Sequence, residues 1–243
     1  MARQLRIEFE GALYHILSRG NDRQNIFLSD DDHNAFLNIL EEISDRFDID
    51  IFAYVLMNNH YHLLLRTNMA NLSKSMQWLG TAYTRRFNLK YFRSGHLFQG
   101  RFKSILVQNE AYLTQLSCYI HRNPLRAGVV NRLADYRLSS YRAYAYRTKH
   151  PDWLNKELIL SQFKGKEPHK AYREKVQEYS DEETKIWENL RHGSIFGTKL
   201  YLDKIKAEYL KKESDPELPQ LNRIMKEPLA KLLARAIANY GSS

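Results

Sequence analysis

One cysteine, Cys118, stands among 243 residues, so the chain has no internal disulfide framework and no multi-cysteine zinc site. No apolar run approaches the ~20 residues that a bilayer-spanning helix needs. The N-terminal Met1-Ala2-Arg3-Gln4-Leu5-Arg6 lacks a secretory hydrophobic region. No glycine-rich phosphate loop of the Walker type is present, and neither is an internal repeat or a low-complexity tract. The expectation is a soluble, cytoplasmic protein with no membrane association and no nucleotide cofactor.

The most informative scarcity is of negative charge. Between Asp50 and Asp135 the only carboxylate is Glu110. The same interval carries Arg66, Lys74, Arg85, Arg86, Lys90, Arg93, Arg101, Lys103, Arg122, Arg126 and Arg132. Two-metal nucleases and polymerases hold their ions with clustered Asp and Glu, and this segment has none to offer. A solvated face usually mixes both signs, so folding alone does not ask for this imbalance. A polyanion does, because Lys and Arg contacts to phosphates supply most non-specific nucleic-acid affinity. Trp78, Tyr83, Phe87, Tyr91, Phe92, Phe98 and Phe102 are interleaved, and unpaired bases stack on such rings. Several of these rings must be core, which makes the charge the firmer half of the argument.

What is present suits a globular fold, with 43% hydrophobic and 12% aromatic residues. Ala12 to Ser18 has strand character, and a polar loop with turn residues follows from Ser18 to Asn25. Ser29 with Asp32 three residues on marks a helix start, and Phe36, Leu40, Ile43 and Phe47 form its apolar face. Two strands come next, either side of Asn58-Asn59. Asn68 or Asn71 caps a second helix with the stripe Leu72, Met76, Leu79 and Tyr83. A loop from Tyr91 to Gly100 leads to a strand over Arg101 to Val107. Asn109 caps a third helix, which Pro124 is expected to end at about Asn123. This order predicts an α+β fold: a ferredoxin-like antiparallel sheet with helices packed on one side. Residues 1–148 make this domain. Residues 149–243 form a helical C-terminal extension without strand signals, whose last helix spans Leu229 to Tyr240.

His60 and His62 are two apart on a strand, so their imidazoles project from one face while Tyr61 points to the other. Two neutral imidazoles side by side are half of a metal site, although an isolated His-x-His is more often an ordinary surface strand. His15, on the first strand, is read as a packed residue rather than a ligand. On the third helix Tyr119 and Asn123 are one turn apart, hence neighbours. A tyrosine hydroxyl can act as a covalent nucleophile, and an asparagine amide oxygen can be a third ligand. Tyr112, two turns earlier, is the alternative nucleophile.

Four segments, in order, carry a family resemblance: Ser18-Arg19-Gly20-Asn21 with Arg23-Gln24; Leu56 to His62; Gly95 to Lys103; and Tyr119 to Gly128, followed by Ser139-Ser140-Tyr141. Together they resemble the REP-associated tyrosine transposases of the HUH single-tyrosine superfamily, over about residues 1–148. The resemblance implies His60 and His62 as metal ligands with Asn123 third, Tyr119 as nucleophile, and Mg²⁺ or Mn²⁺ as cofactor. It implies single-stranded DNA with REP-type hairpins as partner, cleaved and rejoined through a 5′-phosphotyrosine with release of a 3′-OH. Arg19, Arg23, Arg85, Arg86, Arg93, Arg101, Lys103, Arg122 and Arg126 are the candidate DNA contacts. The extension would be at most a truncated helix-turn-helix unit, and the state either monomer or dimer. The competing reading is a catalytically silent, repressor-like DNA-binding protein on the same fold. A replication initiator or relaxase fits the Gly95–Lys103 and Asn123–Gly128 segments less well.

Overall fold

The computed structural model describes residues 6–165, 167–178, 190–191 and 195–209. Its centre is the run β1 (Ala12–Arg19), α1 (Asp30–Phe47), β2 (Ile49–Met57), β3 (His60–Thr67), α2 (Leu72–Lys90) and β4 (Lys103–Val107). These four strands are mutually antiparallel and lie in the order β2-β3-β1-β4, the interleaved arrangement of a ferredoxin-like βαββαβ unit. The α+β expectation therefore holds.

Register follows from apolar alternation along the strands. Tyr14, Ile16, Tyr61, Leu63 and Leu65 face one way and pack with Phe36, Leu40 and Ile43 of α1 and with Met76, Leu79 and Tyr83 of α2. Leu13, Val55, Leu64 and Ile105 face the other way. There they meet α3 (Leu113–Arg126) through Leu113, Leu116 and Ile120. Helices thus cover both faces of the sheet, not one. The sign of this was the near-continuous apolar run of β2, which is buried on both sides from Ile51 to Met57. In that run Phe52 is an extra residue, since Ile51 pairs with Leu65 and Ala53 with Leu64. The bulge lets Phe52 and Ala53 both reach the α3 side.

The helix ends are tied by side chains. Asp32 Oδ2 accepts from the backbone N–H groups of Leu28 and Ser29, and Asp32 also meets Lys90 and Tyr91 at the far end of α2. Asn71 is the residue before α2, and Glu8 takes the N–H of Ser73 in its first turn. Residues 110–112 form a 3-10 turn capped by Asn109, so Tyr112 precedes α3 instead of sharing its face.

Two expectations need correction. First, α3 runs through Pro124 to Arg126. Proline has no N–H for the carbonyl four residues back. The side-chain amide of Asn123 replaces it, donating to the carbonyls of Tyr119 (3.0 Å) and Ile120 (3.2 Å). Second, the extension is not purely helical. Two short strands, β5 (Leu190–Arg191) and β6 (Ile195–Phe196), continue the sheet, with β6 parallel to β4.

After α4 (Tyr141–Tyr146) and α5 (Glu157–Leu160), α6 (Pro168–Glu178) packs behind the tyrosine-bearing helix. The Tyr172 hydroxyl lies 2.6 Å from His121 Nδ1 and donates to Ser117 Oγ, while the Arg122 guanidinium donates to the Val176 carbonyl at 2.9 Å. A last described helix, α7 (Lys199–Tyr209), adds Leu202 and Ile205 to the core on the α1–α2 side. The expected helix Leu229 to Tyr240 lies outside the described residues.

Because Tyr172 is fully buried in the α3-side core, Tyr172→Ala is expected to cost roughly 3–5 kcal/mol of stability. Chemical denaturation should show that loss in one transition for the whole protein. A loss confined to a separate second transition would mark the extension as an independent unit.

Candidate active site

The β2–β3 hairpin builds the site. Met57 pairs with His60, leaving Asn58-Asn59 as a two-residue turn. Its backbone anchors the loop that follows β1: the Asn58 carbonyl accepts from Ile26 and Phe27, and the Asn59 carbonyl from Gly20. Gly20 must be glycine, since a Cβ there would lie 2.1 Å from the Gln24 carbonyl oxygen. Asp22 (φ 49°) and Arg23 (φ 58°) hold left-handed conformations that cost non-glycine residues energy. The Asn59 side-chain amide donates to the Arg23 carbonyl and helps to hold that turn.

That bond also orients the Asn59 amide, whose Oδ1 then lies 2.7 Å from His60 Nδ1. A carbonyl oxygen only accepts, so His60 Nδ1 carries the proton and Nε2 keeps its lone pair. His62 follows on the same face, its ring centroid 5.3 Å from that of His60. Its Nδ1 faces His15 Nε2 at 2.9 Å. Burial holds the imidazoles neutral. It lowers His15 and His60 to about 4, the latter helped by Arg19, and puts His62 well below 6.5 with aid from His15, His60 and Arg126.

Tyr119, on α3, completes the constellation. Its ring meets His15 and His62 edge-on, with centroids 5.9 and 6.1 Å apart, and the Arg126 guanidinium sits 4.9 Å from its ring centre. His60, His62, Tyr119 and Arg126 line a cleft of about 460 Å³ with Asn123, Arg19, Arg23, Arg101 and Lys103. Among the described residues no carboxylate lines it. Asn123 turns its NH₂ to the helix carbonyls, which leaves its amide oxygen pointing elsewhere. Arg19 is held at the rim by Gln99 Oε1, at 2.8 Å from Nη2.

The structure thus brings His60, His62, Tyr119, Asn123, Arg19, Arg23, Arg101, Lys103 and Arg126 together. Others it does not. Arg122 is buried against α6, and Arg93 bonds Gln24 Oε1. Arg85 lines a larger groove of about 790 Å³ between α2 and the 96–102 loop, while Arg86 lines neither space. Groove and cleft share Ser18 and Arg101. Tyr112 packs edge-on against Phe196 outside the cleft. Sequence reasoning missed the roles of Asn59 and Gln99, missed Tyr136, which lines the cleft and donates its hydroxyl to the Leu56 carbonyl, and stopped at "packed" for His15. Alternation along β1 puts His15 with Leu13 and Leu17, the face that the histidine pair shares once β1 and β3 are neighbours.

The family model described as "Transposase IS200 like" matches residues 8–123. Over those residues the chain is similar to the IS200-like transposases. A Haemophilus influenzae protein described as a REP-associated tyrosine transposase is 25% identical over 156 residues, covering 59% of this chain and 88% of its own length. The structure of a REP-associated tyrosine transposase bound to a REP hairpin shares the fold, with TM-score 0.54 and 19% identity, over 64% of this chain and 92% of that one. The matched segment ends at Asn123, the last residue of the constellation. No helix among the described residues is long and apolar enough to cross a membrane.

The buried imidazoles make the stability of the fold pH-dependent. His15 and His60 are lowered to about 4 and His121 to about 3, all by burial, against 6.5 in the unfolded chain. Below pH 6.5 the unfolded state binds more protons, so this stability is present above pH 6.5 and is lost as pH falls toward 4. The Tm of metal-free protein should fall progressively from pH 6.5 to 4.5. A flat profile would mean that these imidazoles are exposed in solution.

Proposed function

We propose that this transposase cleaves and rejoins single-stranded DNA beside a REP-type hairpin, with Tyr119 as nucleophile. The observation that carries the reading is the placement of one tyrosine edge-on to a histidine pair in a cationic cleft with no carboxylate. Such a cleft suits a phosphodiester and repels little of it. The curated relative and the hairpin-bound neighbour support DNA as the partner.

In the step proposed, the Tyr119 oxygen bonds to phosphorus, the bond from phosphorus to the 3′-oxygen breaks, and the 5′-phosphate stays on the tyrosine. The tyrosine proton leaves to solvent and the 3′-oxygen ends as a hydroxyl. Reversal by an incoming 3′-OH rejoins DNA without a nucleotide, because the phosphotyrosyl bond conserves the energy. A phenol with pKa about 10 is mostly protonated at neutral pH. With no carboxylate at hand, its developing negative charge is stabilised by the Arg126 guanidinium over the ring.

Among the described residues no group of three or more His, Cys, Asp or Glu side chains converges to hold a metal. Two imidazoles therefore need a neutral third donor, and the Asn123 amide oxygen fits that need. The hydrogen bond at His60 Nδ1 fits as well, since it leaves Nε2 for ligation, and His62 keeps its Nε2 free when its Nδ1 donates to His15. When bound there, Mg²⁺ or Mn²⁺ supplies positive charge to the scissile phosphate and the leaving oxygen. Arg19, Arg23, Arg101 and Lys103 would hold the strand, with Arg19 and Arg23 nearest the unpaired bases.

Tyr119→Phe keeps the ring and helix and removes the only nucleophile proposed. A covalent protein–DNA adduct, visible on denaturing gels with hairpin substrate and Mn²⁺, should disappear, while hairpin affinity stays within a few-fold. Adduct from Tyr119→Phe, lost instead in Tyr112→Phe, would show the nucleophile misplaced. No adduct from the wild type on any single-stranded substrate would favour the silent DNA-binding reading. Binding itself should weaken steeply with salt, with log K against log[salt] falling by about 0.7 per neutralised phosphate. A flat salt profile would remove the cationic cleft from the binding site.

A further inference from the structure

His15 is fully buried on β1, next to Leu17, the partner of His62 on β3. Its ring stacks on that of His62, with centroids 5.1 Å apart and planes 22° apart. Its Nε2 lies 2.9 Å from His62 Nδ1, and its own Nδ1 is buried without a hydrogen-bond partner. One proton lies between the facing nitrogens, and each neutral imidazole carries a single N–H. Only two arrangements exist. If His15 donates, the proton of His62 must sit on Nε2, which then cannot ligate. If His62 donates from Nδ1, its Nε2 lone pair is free, and the N–H left without an acceptor falls on His15 Nδ1.

We propose that His15 is a positioning residue: its Nε2 accepts the Nδ1–H of His62 and holds that ring with Nε2 presented for a divalent cation. This rests on the metal-dependent reading of the cleft. It also explains why a histidine is used where a ligating imidazole more often donates to a carboxylate. A buried carboxylate here would add negative charge beside a site built to receive phosphate. A neutral acceptor fixes the tautomer and leaves the cationic field of the cleft intact. Edge-on contact with the Tyr119 ring lets the same side chain set both the ligand and the nucleophile.

Three proteins test this: wild type, His15→Leu, which fills the space without an acceptor, and His15→Gln, whose amide oxygen can accept from His62. The readouts are Mn²⁺ affinity by electron paramagnetic resonance, hairpin affinity in EDTA, and Tm. His15→Leu should weaken Mn²⁺ binding about 10- to 100-fold. Its hairpin affinity in EDTA should stay within a few-fold and its Tm near wild type, and His15→Gln should recover most of the Mn²⁺ affinity. Unchanged Mn²⁺ affinity in His15→Leu, or equal losses in both variants, would overturn the role of His15 and leave the metal reading standing. A wild type that binds no Mn²⁺ would overturn both together. Nitrogen-15 shifts of the wild-type imidazoles test the tautomer without a substitution. His62 protonated at Nδ1 is expected, and His62 protonated at Nε2 would overturn the proposal even if His15→Leu fails to fold.

Discussion

The antiparallel pairing of β1 with β3 is the constraint on which the site depends. Arg19 stands opposite His60 and Leu17 opposite His62, so one register puts His15, the histidine pair and a rim arginine on the same face. The other face of the same strands carries Tyr14, Ile16, Tyr61 and Leu63 into the core with α1 and α2. A slip of one residue in β3 would bury both histidines among those rings and expose Tyr61. The hydrophobic alternation that stabilises the sheet therefore also aims the imidazoles. Site and core are two sides of one pattern.

Charge is distributed with a similar economy. The acids present are used for structure: Asp50 and Glu110 hold Arg66, and Asp31 and Asp32 hold Lys90. The cleft gathers Arg19, Arg23, Arg101, Lys103 and Arg126 with no carboxylate among its lining. Mutual repulsion among those cations opposes folding, as the lowered pKa of Lys103, set first by burial and then by Arg19, indicates. A bound phosphodiester relieves the repulsion, so the apo protein stores a preference for its polyanion. Neutral donors around the histidines preserve that preference.

The strands flanking Asn58-Asn59, the α1 face and the constellation of His60, His62, Tyr119 and Asn123 were legible because each rests on local periodicity or on a distinctive segment. Three features were not. Pro124 inside α3 depends on a side chain one residue earlier, and the rule that proline ends a helix contains no such term. Arg122 was counted with the other basic residues because charge along a chain does not say which way a side chain faces. In the fold it is buried and bound to Val176. The extension looked like a helical appendage because β5 and β6 are two residues each, too short for alternation to register. The pairing of β6 with β4 exists only through tertiary contact.

The helix bearing Tyr119 is fixed from three directions, and each bears on how Tyr119 would be held for the attack proposed. In front, its ring rests against His15 and His62. Behind, His121 lies between Tyr172 of α6 and Ser140, whose hydroxyl also takes the Tyr54 N–H of β2. At its end, Asn123 closes the gap that Pro124 opens in the backbone ladder. That last link argues for asparagine in particular. Aspartate could not donate to the Tyr119 and Ile120 carbonyls and would set a negative charge against them. Glutamine could donate, but its longer arm gives up the one-turn closure. An amide alone offers donors to the helix on one side and, in the site proposed, a neutral oxygen to the cation on the other. The residue that repairs the helix after Tyr119 is thereby suited to complete the site that Tyr119 serves.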